Sequence, residues 1–141
     1  MKILVTGGCG YKGSVLIPEL LNCGHEVISF DTKWFGDNLI EHKNLENIKG
    51  DIRDTKSIPL EKVDAIIHLA NIANDPAVDL NPTLSWEVNV LASNKLADKA
   101  IKNDVKQIIF ASSGSVYGIK DEPRVTEDLD LVPISTYNKT K

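Results

Sequence analysis

The sequence predicts a doubly wound α/β domain built on a parallel sheet. Three observations carry that expectation. Short apolar runs recur along the chain, stretches long enough for helices separate them, and a cluster of glycines joins the first run to the first helical stretch. Apolar runs without polar alternation mark strands covered on both faces, and strand–helix alternation implies right-handed crossovers within one sheet.

Ile3-Leu4-Val5 is the first such run, and Val27-Ile28-Ser29-Phe30 the second. A weaker third lies around Leu45 to Ile48. Ala65-Ile66-Ile67-His68-Leu69 is the fourth and Ile108-Ile109-Phe110-Ala111 the fifth. Between the first two, a helix is expected from about Tyr11 to Asn22, with Gly24 closing it. Pro18 falls inside that helix, where it removes a backbone donor and should bend or loosen it. Asp54 to Lys62 leaves room for only a short helical turn. From Asn81 a long helix is expected: Asn81 can cap it, Pro82 suits its first position, and Leu84, Val88, Leu91, Ala92 and Leu96 share a face. Thr126 to Ile134 is acidic and contains proline, as a surface loop would. The last element begins near Ser135 and Thr136.

The 141 residues suffice for one domain, residues 1–141. A hydrophobic share of 42% and a charged share of 26% give a globular balance, which argues against disorder. The net charge of −4 argues against a broad nucleic-acid surface. Cys9 and Cys23 lack partners at metal-ligand spacing and His25, His42 and His68 are scattered, so no metal site is expected. Reduced thiols, no membrane span and no signal peptide together predict a cytoplasmic protein.

The strongest local signal is Thr6-Gly7-Gly8-Cys9-Gly10-Tyr11-Lys12-Gly13. Gly8, Gly10 and Gly13 satisfy G-x-G-x-x-G, between a predicted strand and a predicted helix. Glycine permits the tight turn, lets the backbone approach a pyrophosphate and lets the helix pack on the sheet. The helix N-terminus then offers free N–H groups to the anion. A glycine-rich turn with no ligand is the alternative. A P-loop is excluded, because no G-K-[ST] follows. Asp31 closes the second strand near the spacing of the acidic residue that binds ribose hydroxyls. A carboxylate there repels a 2′-phosphate and favours NAD over NADP, a preference that Lys33 could soften; the alternative is an ordinary strand-end turn residue.

Tyr137 and Lys141 are four residues apart and would share a face of a helix. An ammonium beside a phenol favours the phenolate, which suits acid–base work. Alone, such a pair is common by chance and is more often a surface contact.

Thr6 to Gly13 resembles the TGxxGxxG loop of the extended short-chain dehydrogenases/reductases, a group of sugar-nucleotide epimerases, dehydratases and reductases with a Rossmann fold. Asp51-Ile52 resembles the acidic–aliphatic pair that contacts adenine. His68-Leu69-Ala70 resembles the HLAA segment whose backbone lies along the cofactor, with Asn71 in place of its last alanine. Val88-Asn89-Val90 resembles the helix motif whose asparagine supports the active site. Ser112 to Gly118 resembles the serine motif, and Tyr137-Asn138-Lys139-Thr140-Lys141 is a YxxxK. The resemblance covers the whole chain. It implies NAD as cofactor, bound by Gly7, Gly10, Tyr11, Lys12, Gly13, Asp31, Asp51, Ile52, Leu69, Ala70 and Asn89. It also implies a catalytic set of Ser113, Tyr137 and Lys141. Lys12 replaces the aliphatic residue usual at its place; it either points to solvent, the reading adopted, or adds charge near the pyrophosphate. His68 is read as a satisfied core histidine and Cys9 as a small filler.

The resemblance further implies a nucleotide-sugar substrate and hydride transfer through a transient keto-sugar. Family dehydratases carry an Asp-Glu pair after the catalytic hydroxyl residue; here Gly114 and Ser115 stand there, which disfavours dehydration and leaves epimerisation or reduction, of which epimerisation is the reading adopted. The alternatives are a nucleotide-sugar reductase or dehydratase, or a non-catalytic NAD(P)-binding module. Subunits of the family are about twice this long. The chain is therefore expected to be an N-terminal fragment, cut within the YxxxK helix and nearly inactive alone, with a fraying last turn and an uncovered sheet edge and apolar face. The full-length form is expected to be a homodimer.

Overall fold

A computed structural model describes residues 1–141. Five strands form one sheet: β1 (Lys2–Thr6), β2 (Glu26–Asp31), β3 (Leu45–Lys49), β4 (Ala65–His68) and β5 (Gln107–Phe110). Their order is β3-β2-β1-β4-β5 and every pairing is parallel. The chain winds outward from β1 to β3, then returns to lay β4 on the other side of β1. That reversal leaves a crevice at the carboxyl ends of β1 and β4, the place where open α/β sheets bind ligands.

Both faces of β1, β2 and β4 are covered, which is why those strands read as near-continuous apolar runs. On β1, Ile3 and Val5 pack with Ile17 and Val27 on one face. Leu4 packs on the other with Ile28, Phe30, Ile66, Leu96 and Ala100. The edge strands differ: β3 has no fully buried residue and β5 is exposed throughout. Ile108, Ile109 and Phe110 are 39%, 49% and 40% exposed, so the expected uncovered edge is present on this strand.

The helices are α1 (Gly13–Asn22), α2 (Asp75–Leu80), α3 (Pro82–Trp86), α4 (Ser93–Lys102) and α5 (Thr136–Lys139). α1 starts two residues later than the sequence suggests. It ends in a Schellman arrangement: Gly24 has φ +80°, its N–H donates to Leu21 O, and the N–H of His25 donates to Leu20 O. Pro18 lies on the exposed side of α1. There water can satisfy the carbonyl whose intrahelical donor the proline lacks.

The long helix begins as expected, with Asn81 Oδ1 accepting from Leu84 N at 3.0 Å and Pro82 in the first turn. It is not uniform, however. Glu87–Ala92 forms a π-helical turn between α3 and α4. The wider i→i+5 turn breaks the 3.6-residue phase on which the expected face was drawn. Val88, Ala92 and Leu96 remain buried, but Leu91 is 53% exposed, so its placement on that face is corrected.

Candidate functional site

A cavity of about 760 Å³ opens at the carboxyl ends of the strands. The loop after β1 (Gly7, Gly10, Tyr11, Lys12, Gly13) forms one wall. Asp31 after β2, and Asp51 and Ile52 after β3, line one end. Leu69 and Ala70 after β4 pack beside the glycine loop, and Tyr137 and Lys141 line the other end with Ala111 and Ser112.

The glycines divide by what demands them. Gly7 has φ +73°, and a Cβ there would lie 2.6 Å from Ala70 N. A Cβ on Gly8 would press 2.8 Å from Ile17 Cδ1, and one on Gly13 would strike Gly8 O. These three are glycine because strand, loop and helix meet without room for a side chain. Gly10 is different. A Cβ there would meet only Gly7 O, at 3.3 Å. That contact is tight but asks for a shift of only a few tenths of an ångström, so the fold demands glycine less here than at Gly7, Gly8 and Gly13; a ligand lying close against the loop would demand it. The backbone N–H groups of Tyr11, Lys12 and Gly13 donate to no acceptor in the chain, so the mouth of α1 presents three donors.

Each Asp31 carboxylate oxygen accepts one backbone N–H: Oδ2 from Cys9 at 3.1 Å and Oδ1 from Lys33 at 2.6 Å. A carboxylate has further lone pairs, so acceptor capacity remains. Lys33 is drawn away, its ammonium paired with Asp37 at 2.6 Å, and it does not line the cavity. Asp51 is clamped by Arg53, with Nη2 to Oδ2 at 2.6 Å, and that hydrogen-bonded pairing holds its carboxyl below the usual range. Cys9 is buried and free; Cys23 is exposed and free.

At the other end, Lys141 lies beyond the assigned end of α5 rather than within it. The turn tightens there, with Thr140 N–H donating to Tyr137 O and Lys141 N–H to Asn138 O. The Lys141 side chain still returns to Tyr137, its Nζ 5.9 Å from the ring centroid, and donates to Ala111 O at 2.8 Å. Burial, and then the like charge of Lys12, bring its ammonium down to about 8. Ser113 does not line the cavity. Its Oγ accepts from Ser115 N at 3.2 Å and lies 2.7 Å from Ser115 Oγ, capping the turn Gly114–Tyr117. Ser112 lines the cavity instead.

Asn89 is not in the cavity wall either. It sits behind it, 3% exposed, in the π-helical turn. Its Oδ1 accepts from Ile72 N at 2.7 Å; its Nδ2 donates to Ile72 O at 3.1 Å and to Thr140 Oγ1 at 3.0 Å. Thr140 Oγ1 in turn donates to Tyr137 O at 2.8 Å. One side chain thus ties the Leu69–Ile72 wall to the turn that carries Tyr137 and Lys141.

His68 extends this network. Ser93 Oγ donates to Asn89 O at 2.8 Å, so its remaining role toward His68 Nε2, also 2.8 Å away, is to accept. The proton therefore sits on Nε2, and Nδ1 accepts from Thr6 Oγ1 at 2.5 Å. Burial, then the charge of Lys141, lower the imidazole to about 4. The unfolded chain takes up that proton near 6.5 and the folded chain only near 4, so neutral His68 contributes stability that is full above pH 6.5 and declines as pH falls toward 4. The loss expected over that window is about 3 kcal/mol. Urea unfolding at a series of pH values checks this: His68→Gln should flatten the slope of stability between pH 6.5 and 4, and an unchanged slope would refute the assignment.

The sequence points to most of the cavity but misses Trp34 and Phe35, which line it after Asp31 and are 59% and 87% exposed. Two adjacent aromatics in a short polar loop, just past the acidic strand end, are the available signal. Asn71 to Asn74 and Ser112 also line the cavity, although the motifs name none of them as ligand contacts.

Residues 3–141 match the model of the NAD dependent epimerase/dehydratase family. A UDP-glucose 4-epimerase of Lactobacillus helveticus is 34% identical across all of the chain, which spans 44% of that protein. Among solved structures, the Thermus thermophilus UDP-glucose 4-epimerase in complex with NAD superposes with a TM-score of 0.89 at 30% identity, covering 100% of this chain and 47% of that one. A dTDP-glucose 4,6-dehydratase from Streptomyces venezuelae with NAD bound gives 0.92 at 31% identity, covering 100% and 48%. The chain spans just under half the length of the relatives it matches. No helix is long and apolar enough to cross a membrane.

Proposed function

The chain belongs to the NAD dependent epimerase/dehydratase family, and from that premise we propose that it forms the NAD-binding part of an enzyme that epimerises a nucleotide-activated sugar through a transient keto-sugar. One observation carries the proposal: a single cavity runs from Asp31 and Asp51, past the open N–H groups of α1, to Tyr137 and Lys141. That is the sequence of contacts an adenosine, a pyrophosphate and a reactive ring would need, in order.

The residues fit the cofactor. Gly10 leaves a cradle that a side chain would fill, and the N–H groups of Tyr11, Lys12 and Gly13 meet the pyrophosphate. Asp31 accepts from the ribose hydroxyls, and Asp51 and Ile52 border the base. The Leu69 and Ala70 backbone continues the wall beside the loop, and Asn89 holds that wall in place from behind. When bound, NAD supplies hydride transfer to and from the sugar carbon. The chain's own part is the proton. Tyr137 takes it from the sugar hydroxyl and returns it, with the Lys141 side chain held beside its ring. Ser113 Oγ accepts from Ser115 N at 3.2 Å, so its hydroxyl proton has Ser115 Oγ or a sugar oxygen at the cavity rim as acceptor. Gly114 and Ser115 offer no carboxyl group to expel a sugar hydroxyl as water, which favours epimerisation over dehydration. A homodimer in the cytoplasm completes the reading.

Calorimetric titration with NAD and then NADP tests the cofactor assignment. NAD is expected to bind with NADP at least about tenfold weaker, because the 2′-phosphate would face Asp31 while Lys33 is engaged by Asp37. Gly10→Ala should lower the melting temperature far less than Gly7→Ala and weaken NAD by about tenfold or more. A variant that binds NAD like the parent chain would sink the cradle. Incubation of the full-length protein with nucleotide-sugars tests the reaction, and recovery of neither epimerised nor reduced product would count against it.

A further inference from the structure

Lys12 occupies a conspicuous place. It is the residue before α1, inside the glycine loop, and it lines the same cavity as Tyr137 and Lys141. It is exposed, and neither a carboxylate nor any other acceptor in the chain engages its ammonium; the ion pairs of the chain involve only Lys33, Arg53 and their partners. The charges around the cavity are also sorted. Asp31 and Asp51 stand at the β2–β3 end, Lys12 and Lys141 at the loop and the β5 end.

We propose that Lys12 is a pyrophosphate-pairing residue, the ammonium that neutralises the doubly charged linkage of the dinucleotide as it crosses the mouth of α1. The inference rests on the cofactor reading above. A dinucleotide reaching from Asp31 to Tyr137 must pass this mouth, where backbone N–H groups supply partial charge but no whole one. Lys141 is held on Ala111 O, which leaves Lys12 as the other cavity cation and the only one with no acceptor. That the Lys12 charge is felt at Lys141 places the two ammonium groups in one field, a repulsion that an anion between them would relieve.

The test is calorimetric titration of the chain and of Lys12→Ile and Lys12→Arg variants with NAD, at low and high salt. Lys12→Ile is expected to weaken NAD roughly fivefold at moderate salt and more at low salt, because an exposed charge pair is screened. Lys12→Arg should retain most of the affinity, and all three proteins should melt together, since the side chain is exposed. Equal affinity and equal salt dependence in the parent chain and Lys12→Ile would overturn the proposal. A loss that arginine fails to restore would also overturn it, by pointing to loop geometry rather than charge. A parent chain that folds but does not bind NAD would remove the cofactor reading itself, and the inference with it.

Discussion

Gly7→Ala is expected to destabilise the chain by about 3–5 kcal/mol, a large part of the stability of a domain this size. Two costs combine. The backbone at Gly7 has φ +73°, which an alanine adopts only with strain. The new Cβ would also lie 2.6 Å from Ala70 N, 2.8 Å from Ala70 Cα and 2.9 Å from Leu69 C. All three are backbone atoms and cannot rotate away. That backbone is held in turn by Leu69 N donating to Thr6 O at 3.0 Å, so relief requires β1 and β4 to part at their carboxyl ends. The same movement opens the cavity wall, and NAD binding should be lost with it. Gly24→Ala is the control. Gly24 has φ +80° but nothing within 4 Å of its would-be Cβ, so only the backbone strain applies, about 1 kcal/mol. Thermal unfolding of both variants separates the two costs. The expected drop in melting temperature is roughly 10–15 °C for Gly7→Ala and a few degrees for Gly24→Ala. Equal drops would mean that the close approach of Ala70 costs nothing.

On the proposed reaction, Tyr137→Phe is expected to lower nucleotide-sugar turnover by an enzyme containing this chain about 10²–10⁴-fold, the usual contribution of a positioned acid–base group. Phenylalanine keeps the ring that packs 5.9 Å from Lys141 Nζ and removes only the oxygen that would carry the proton. The substituted protein should therefore melt like the parent and bind NAD within about twofold. Calorimetry and steady-state rates together decide the matter: unimpaired turnover would place the proton-transfer role elsewhere, and a parallel loss of NAD affinity would mean that the phenol is a binding group. Asn89→Leu offers an informative contrast. It would strand Ile72 N–H, Ile72 O and Thr140 Oγ1 without their shared partner, at a cost of about 1–3 kcal/mol for each buried group left unpaired. Its effect should appear in stability as well as in rate.

The strands are legible because their signal is local: an uninterrupted apolar run between turn residues needs no knowledge of its neighbours. The glycine loop is legible for the same reason, since its spacing and its place between a strand and a helix are contained in a short stretch of chain. The long helix is only partly legible. Its start is written in Asn81 and Pro82, but the π-helical turn at Glu87–Ala92 changes the period on which any face must be drawn, so Leu91 falls outside the face its spacing predicts.

Local signals thus sufficed for the α/β class, the position of each strand and the turn that needs Gly7 and Gly13. Which of these meet depends on tertiary packing. Packing set the strand order that opens the crevice between β1 and β4, turned Ser113 into the cap of a turn while Ser112 faces the cavity, and drew Lys141 onto Ala111 O across 30 positions of chain. It also placed Asn89 behind the wall rather than in it, bonded to Thr140 across 51 positions. The physical reason is one of range. Backbone conformation and apolar periodicity are set within a few residues, whereas a buried donor chooses its acceptor from whatever packing brings beside it, and packing is a property of the whole fold.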